Sequence, residues 1–169
     1  MKDAKIKKLV MSALLAALVF TSTMVIHIPS PTGGYVNLGD CFVLLSGWLL
    51  GPWYGAAAAG IGAMLTDLLS GYTYYAPATL IIKALVALVA ALVWRAMSRK
   101  RGALIVSGIL GELIMVVGYF GFTALLLGYG LGAALSIPGD LVQGATGIVI
   151  GIVLMKLFER SKILDKLVK

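Results

Sequence analysis

Asp40, Asp67, Lys83, Glu112, Asp140 and Gln143 are the side chains of this 169-residue chain best placed to do chemistry, because each sits in or beside an apolar stretch. Ionisable groups at membrane depth are costly, and they mark ligand or ion paths. Carboxylates and an amide hydrogen-bond hydroxyls or ring nitrogens, and a lysine pairs with a protein carboxylate or binds an anionic group. Tyr35, Tyr72, Tyr74 and Tyr75 lie in the same stretches of sequence and offer faces on which a ring stacks. Tyr119 and Thr123 follow Glu112 along one helical stripe, and Asn37 stands three residues before Asp40. Together these residues predict a pocket for a small polar molecule.

Each of these residues also has a plainer reading. Asp40 and Asp140 follow glycines and suit the first turn of a helix, where the dipole favours a carboxylate. The tyrosines suit an aromatic belt at a membrane interface. Lys83 and Asp67 suit a structural ion pair, although a buried pair is a poor way to gain stability alone. Glu112 suits an interior polar contact with no ligand role. Catalysis is not expected. The chain has no phosphate-cradling Gly-Lys-Ser/Thr loop, one histidine (His27) and one cysteine (Cys41), so no metal site, cofactor or Ser–His relay is expected.

The elements that position these groups are legible from hydropathy and charge. The chain is 60% hydrophobic and 12% charged, against about 25% charged in soluble domains. Its apolar runs predict six helices at about 9–28, 40–51, 53–70, 77–97, 103–127 and 138–158. Every Lys and Arg except Lys83 falls in one of three clusters. These are Lys2, Lys5, Lys7 and Lys8; Arg95, Arg99, Lys100 and Arg101; and Lys156, Arg160, Lys162, Lys166 and Lys169. The intervening connections at 27–39, 71–76 and 128–137 carry no Lys or Arg. Basic residues stay on the cytoplasmic side, so both termini are expected there, with the polar set toward the outer face. The net charge of +7 is read as topology and anionic-lipid contact, with no nucleic-acid partner. Residues 1–169 read as one membrane-embedded domain, an all-α bundle of six transmembrane helices. The weakest point is the tight Gly51-Pro52-Trp53-Tyr54 link, which leaves 40–70 open to broken or re-entrant helices. Ala13 and Ala17, with Ala16 beside them, and Gly147 and Gly151, with Gly144 one turn earlier, have the small-residue spacing that lets helices approach in lipid.

Three stretches carry a family resemblance: Gly34-Tyr35-Val36-Asn37-Leu38-Gly39-Asp40, Leu49-Leu50-Gly51-Pro52-Trp53-Tyr54-Gly55, and Asp67 to Tyr72 continued by Tyr75 to Lys83. The combination resembles the substrate-binding S components of energy-coupling factor (ECF) transporters, prokaryotic vitamin-uptake systems, in their riboflavin-type or hydroxymethylpyrimidine-type branch. The resemblance implies a multi-pass protein of a prokaryotic cell membrane. It implies a vitamin pocket near the outer face, beneath the loop between helices one and two. It also implies partners, a transmembrane coupling protein and two ATPases, with Ala13, Ala16 and Ala17 as the coupling stripe. Asn37, Asp67, Tyr75, Lys83 and Gln143 become pocket residues by this resemblance, and Tyr35, Asp40, Tyr72, Glu112 and Tyr119 complete the candidate set. Abundant Tyr with acids and amides suits pyridoxine or the hydroxymethylpyrimidine precursor of thiamine. Riboflavin needs a larger cavity, and pantothenate would use Lys83 for its carboxylate. The competing expectations are a stand-alone ion-coupled carrier or small channel, in which Asp67, Lys83 and Glu112 relay protons or ions, and a structural membrane subunit.

Overall fold

Runs of Leu, Ala and Val, with proline confined to first turns, fold into six α-helices in the computed structural model, which describes residues 2–98, 100 and 102–160. Arg99, Arg101, Lys162, Lys166 and Lys169 lie outside the described residues, as does the side chain of Lys2. The helices are α1 (Lys2–Val25), α2 (Asp40–Leu50), α3 (Pro52–Leu69), α4 (Ala76–Ala96), α5 (Ala103–Gly121) and α6 (Ile137–Arg160). A π-helical turn, Phe122–Leu126, extends α5, and a 3₁₀ segment, Gly130–Ser136, leads into α6.

The bundle departs from the sequence expectation in three places. First, α1 begins at Lys2 rather than at residue 9, so the basic cluster forms its opening turns. Second, the connection between the first two helices contains a hairpin. Strand β1 (His27–Pro29) pairs antiparallel with β2 (Tyr35–Asn37), in the register His27 to Asn37, Ile28 to Val36 and Pro29 to Tyr35. Pairing draws His27 and Ile28 out of the helix, and α1 stops at Val25. Third, α1, α4, α5 with its extension, and α6 with the 3₁₀ segment are long and apolar enough to cross a bilayer, whereas α2 and α3 fall outside that set. With 11 residues, α2 spans about 16 Å, roughly half a hydrocarbon core. It is a buried strut whose Asp40, Cys41 and residues 43–48 are all covered. The 40–70 region resolves into two separate helices hinged at Gly51, where φ is +82° and glycine is favoured.

The chain alternates so that α2, α4 and α6 run parallel to one another and antiparallel to α1, α3 and α5. The exposed bases Lys5, Lys7, Lys8, Arg95, Lys100, Lys156 and Arg160 therefore gather at one end. At that end Lys8 Nζ lies 6.0 Å from the ring of Tyr54. The hairpin, the α3–α4 link and the 3₁₀ segment close the other end, where Tyr74 donates to the Gly33 carbonyl at 2.9 Å.

Small residues set the helix spacing. A Cβ on Gly47 would run into the carbonyl of Ala87, so α2 and α4 touch backbone to backbone there. Gly147 and Gly151 of α6 serve the same end. A Cβ on either would crowd Asp40 or Trp48 of α2, so these glycines are internal packing positions. The indole of Trp48 also donates to Ser107 of α5 at 3.0 Å. Gly47→Ala is expected to cost about 1–3 kcal/mol through overpacking. Gly121→Ala, where a Cβ meets nothing within 4 Å, is expected to be neutral or to stabilise by up to about 1 kcal/mol. Thermal unfolding in detergent separates the two, and equal losses would mean that the α2–α4 contact is not close.

Candidate functional site

Parallel α2, α4 and α6 bring their early turns to one level, and three polar side chains meet there. Asp40 opens α2 and has no solvent exposure. One of its oxygens accepts from Lys83 Nζ, and Oδ2 accepts from Gln143 Nε2 at 2.6 Å. Gln143 Oε1 in turn accepts the backbone N–H of Asn37 at 2.7 Å, which ties the hairpin to α6. Asn37 uses its own Oδ1 to accept from the Gly39 amide at 2.8 Å. Lys83 also faces Met115 Sδ at 3.0 Å and the ring of Tyr119 at 5.5 Å. Its ammonium is therefore enclosed by a carboxylate, a thioether and an aromatic face.

The Lys83–Asp67 ion pair, the plainer of the readings open to these two residues, is not the one that forms. Lys83 projects from α4 toward α2 and α5. Asp67 sits in the last turn of α3, level with the hairpin, and accepts instead from the Tyr35 hydroxyl. Burial first, and the Asp67 carboxylate second, raise the Tyr35 phenol above its ordinary pKa, so it keeps its proton and is the donor. Behind it, His27 stacks on Tyr35 at 3.6 Å and 22°, and Tyr72 leans against both rings. Burial against these rings lowers the His27 pKa, with Asp67 pulling weakly the other way.

These groups surround a pocket whose empty space, counted out through its open mouth, is about 590 Å³. Of the ten substrate-site candidates, Tyr35, Asn37, Asp40, Asp67, Tyr75, Lys83, Tyr119 and Gln143 line it. Tyr72 and Glu112 do not. Tyr72 packs behind Tyr35. Glu112 packs against α6, where a Cβ on Gly144 would come within 3.0 Å of its Cβ. Neither Glu112 oxygen has a hydrogen-bond partner among the described residues. Asp140 also lines the cavity and accepts from Ser136 at 3.2 Å. Neither Asp40 nor Asp140 serves only as the helix-opening carboxylate its position suggests. Val43 and Ala63 supply apolar wall.

Sequence reasoning missed Thr23, Ser30, Thr32, Thr79 and Ser136, which supply hydroxyls to the lining. Thr79 had a usable signal, since it stands one turn before Lys83 on the same face of α4. Its hydroxyl accepts from Tyr119 at 3.1 Å. The roof is pinned at several points, because Tyr75 reaches both the Thr32 carbonyl and Thr123 at 3.3 Å. The coupling candidates divide. Ala13 and Ala17 are exposed on α1, whereas Ala16 turns toward α3, where a Cβ on Gly62 would meet its carbonyl.

An apolar bundle with a roofed polar pocket at one end has the build of a membrane binding subunit, and comparison with known proteins agrees. The sequence model for the "ECF-type riboflavin transporter, S component" family matches residues 3–160. The chain is 31% identical over 167 residues to the thiamine precursor transporter HmpT of Lactococcus lactis subsp. cremoris, covering 98% of this chain and 95% of that one. It is 36% identical over 135 residues to an uncharacterized protein of Pyrococcus woesei, covering 79% and 88%. The fold matches a solved S component of a bacterial ECF transporter with a TM-score of 0.65 at 23% identity, over 96% and 99% of the two chains. This chain therefore belongs to the family of ECF-type S components, the substrate-binding subunits of membrane transporters, and is not an enzyme.

The buried pair makes a stability prediction. Lys83→Met leaves Asp40 charged and buried with Gln143 alone, and is expected to cost about 3–5 kcal/mol. Adding Asp40→Asn should recover most of that loss. Thermal unfolding of the two single variants and the double variant reads this coupling. Additive effects would mean that the pair is not formed.

Proposed function

We propose that this chain captures a thiamine precursor of the hydroxymethylpyrimidine type for ATP-driven uptake by ECF partner subunits. The observation that carries this reading is the pocket's arrangement of charge. Lys83 is already neutralised by Asp40, so no free cation awaits an acidic ligand, and the remaining polar groups are carboxylates, hydroxyls and tyrosine rings. Such a lining suits a neutral or weakly basic heteroaromatic ring and disfavours pantothenate, whose carboxylate would need the lysine. End-to-end similarity to a protein named as a thiamine precursor transporter favours the pyrimidine over pyridoxine. The family name keeps riboflavin as the second reading.

The basic end of the bundle faces the cytoplasm in this proposal, with both termini there, and the hairpin roofs the pocket on the outer side. Six helical segments traverse or enter the bilayer, α2 as a buried strut. A coupling protein docks on the exposed Ala13 and Ala17, and two ATPases supply the energy. Ala16 supports α3 instead.

Two outcomes test the proposal. In thermal-shift assays of detergent-purified protein, the hydroxymethylpyrimidine should stabilise the fold by about 2.7 kcal/mol at a hundredfold excess over its Kd. Pyridoxine, riboflavin and pantothenate should do little at equal concentration. Stabilisation by riboflavin alone would replace the substrate, and response to none would remove the reading. Ala17→Leu should leave this binding within about twofold while abolishing uptake in cells carrying the partner subunits, because a bulky group holds two helices apart. Normal uptake by that variant would move the coupling surface elsewhere.

A further inference from the structure

Among the charged and amide groups around the cavity, Asp67 carries an oxygen left over. Lys83 is held by Asp40, Asp40 by Lys83 and Gln143, and Gln143 by the Asn37 amide. Asp140 accepts from Ser136. Asp67 is only 1% exposed, and its Oδ1 is taken by Tyr35. Its Oδ2 is buried and has no hydrogen-bond partner among the described residues. Thr79 lies alongside as a weak hydrogen-bonding neighbour of this carboxylate, with its hydroxyl accepting from Tyr119, but no bond of normal length and angle reaches Oδ2. A buried charged acceptor without a donor is costly, so the site gains when a ligand supplies one.

We propose that Asp67 is the residue that selects the ligand, with Oδ2 accepting an N–H from an amino group on a heteroaromatic ring. This inference rests on the hydroxymethylpyrimidine reading above, whose ring carries an amino group, and gives it a specificity mechanism. An exocyclic amine on a ring presents its N–H in the ring plane, where a carboxylate oxygen accepts it. A carbonyl at the same ring position would face the carboxylate with lone pairs on both sides. The pocket therefore discriminates amino from oxo rings by leaving the wrong one unpaired, which is a stronger filter than shape. Tyr35 is a positioning residue. Its hydroxyl holds Oδ1, and the stack of His27 and Tyr72 fixes the ring that carries it. The orientation of the free oxygen is thus decided by the hairpin.

The test uses the full chain in detergent and two probes, 4-amino-5-hydroxymethyl-2-methylpyrimidine and its 4-oxo counterpart, in calorimetric titrations. Wild type should prefer the amino compound by at least about tenfold. Asp67→Asn should weaken amino binding by at least about tenfold and bring the amino/oxo ratio toward unity, because an amide also donates to a carbonyl. Tyr35→Phe should weaken the amino compound while keeping its preference. A purely structural role for Asp67 would lower both affinities together and leave the ratio unchanged, which overturns the proposal. Should Asp67→Asn fail to fold, the wild-type ratio decides alone, and equal binding of the two probes overturns it. Wild type that binds neither probe but is stabilised by another vitamin refutes the aminopyrimidine reading itself, and the inference falls with it.

Discussion

An ammonium two turns inside an apolar helix bundle must be compensated, and the rest of the pocket depends on how Lys83 is compensated. Asp40 supplies the charge, which obliges α2 to begin at the level of Lys83. That requirement makes α2 short and buried, and it makes the chain before it a connection that crosses the top of the bundle. Asp40 then has a second oxygen to satisfy, and Gln143 brings α6 to the same point. Gln143 passes the constraint on to the hairpin through the Asn37 amide. One buried charge thus registers α2, α4, α6 and the roof. A buried ion pair is not a strong source of stability by itself, and its value here is in specifying which elements meet.

Close packing makes this register possible. Gly47, Gly147 and Gly151 let α4 and α6 reach α2 at backbone distance, so that side chains as short as Asp40 and Gln143 bridge the helices. Larger residues at those positions would leave the polar groups too far apart to bond. Outward-facing leucines and valines meet lipid, where burial gives no drive between helices, so small-residue contact and interhelical hydrogen bonds hold the bundle.

The division of polar groups into two sets gives the site its chemistry. Asp40, Lys83 and Gln143 satisfy one another and form a closed floor. Asp67, held by Tyr35 of the hairpin with Thr79 alongside, keeps one oxygen unused. Glu112, which looked like a member of the same set in sequence, lies against Gly144 outside the cavity. Helical periodicity placed it on a stripe with Tyr119. It could not show that Glu112 packs against α6 at Gly144 and stays out of the cavity lining.

Sequence by itself determined the long helices, the end at which bases collect and the residues that do not belong in lipid, because hydropathy, charge and helical spacing are local properties. It also carried the family, since the stretches that bear the resemblance lie close together between Gly34 and Lys83. Only the tertiary structure decided that Lys83 pairs with Asp40 rather than Asp67, that a hairpin rather than a loose loop roofs the cavity, that Ala16 faces inward, and that one oxygen of Asp67 is left free. Those outcomes depend on which faces of separate helices meet and at what height. Residues 43 or 103 positions apart come together only when the glycine contacts have set the spacing of the bundle.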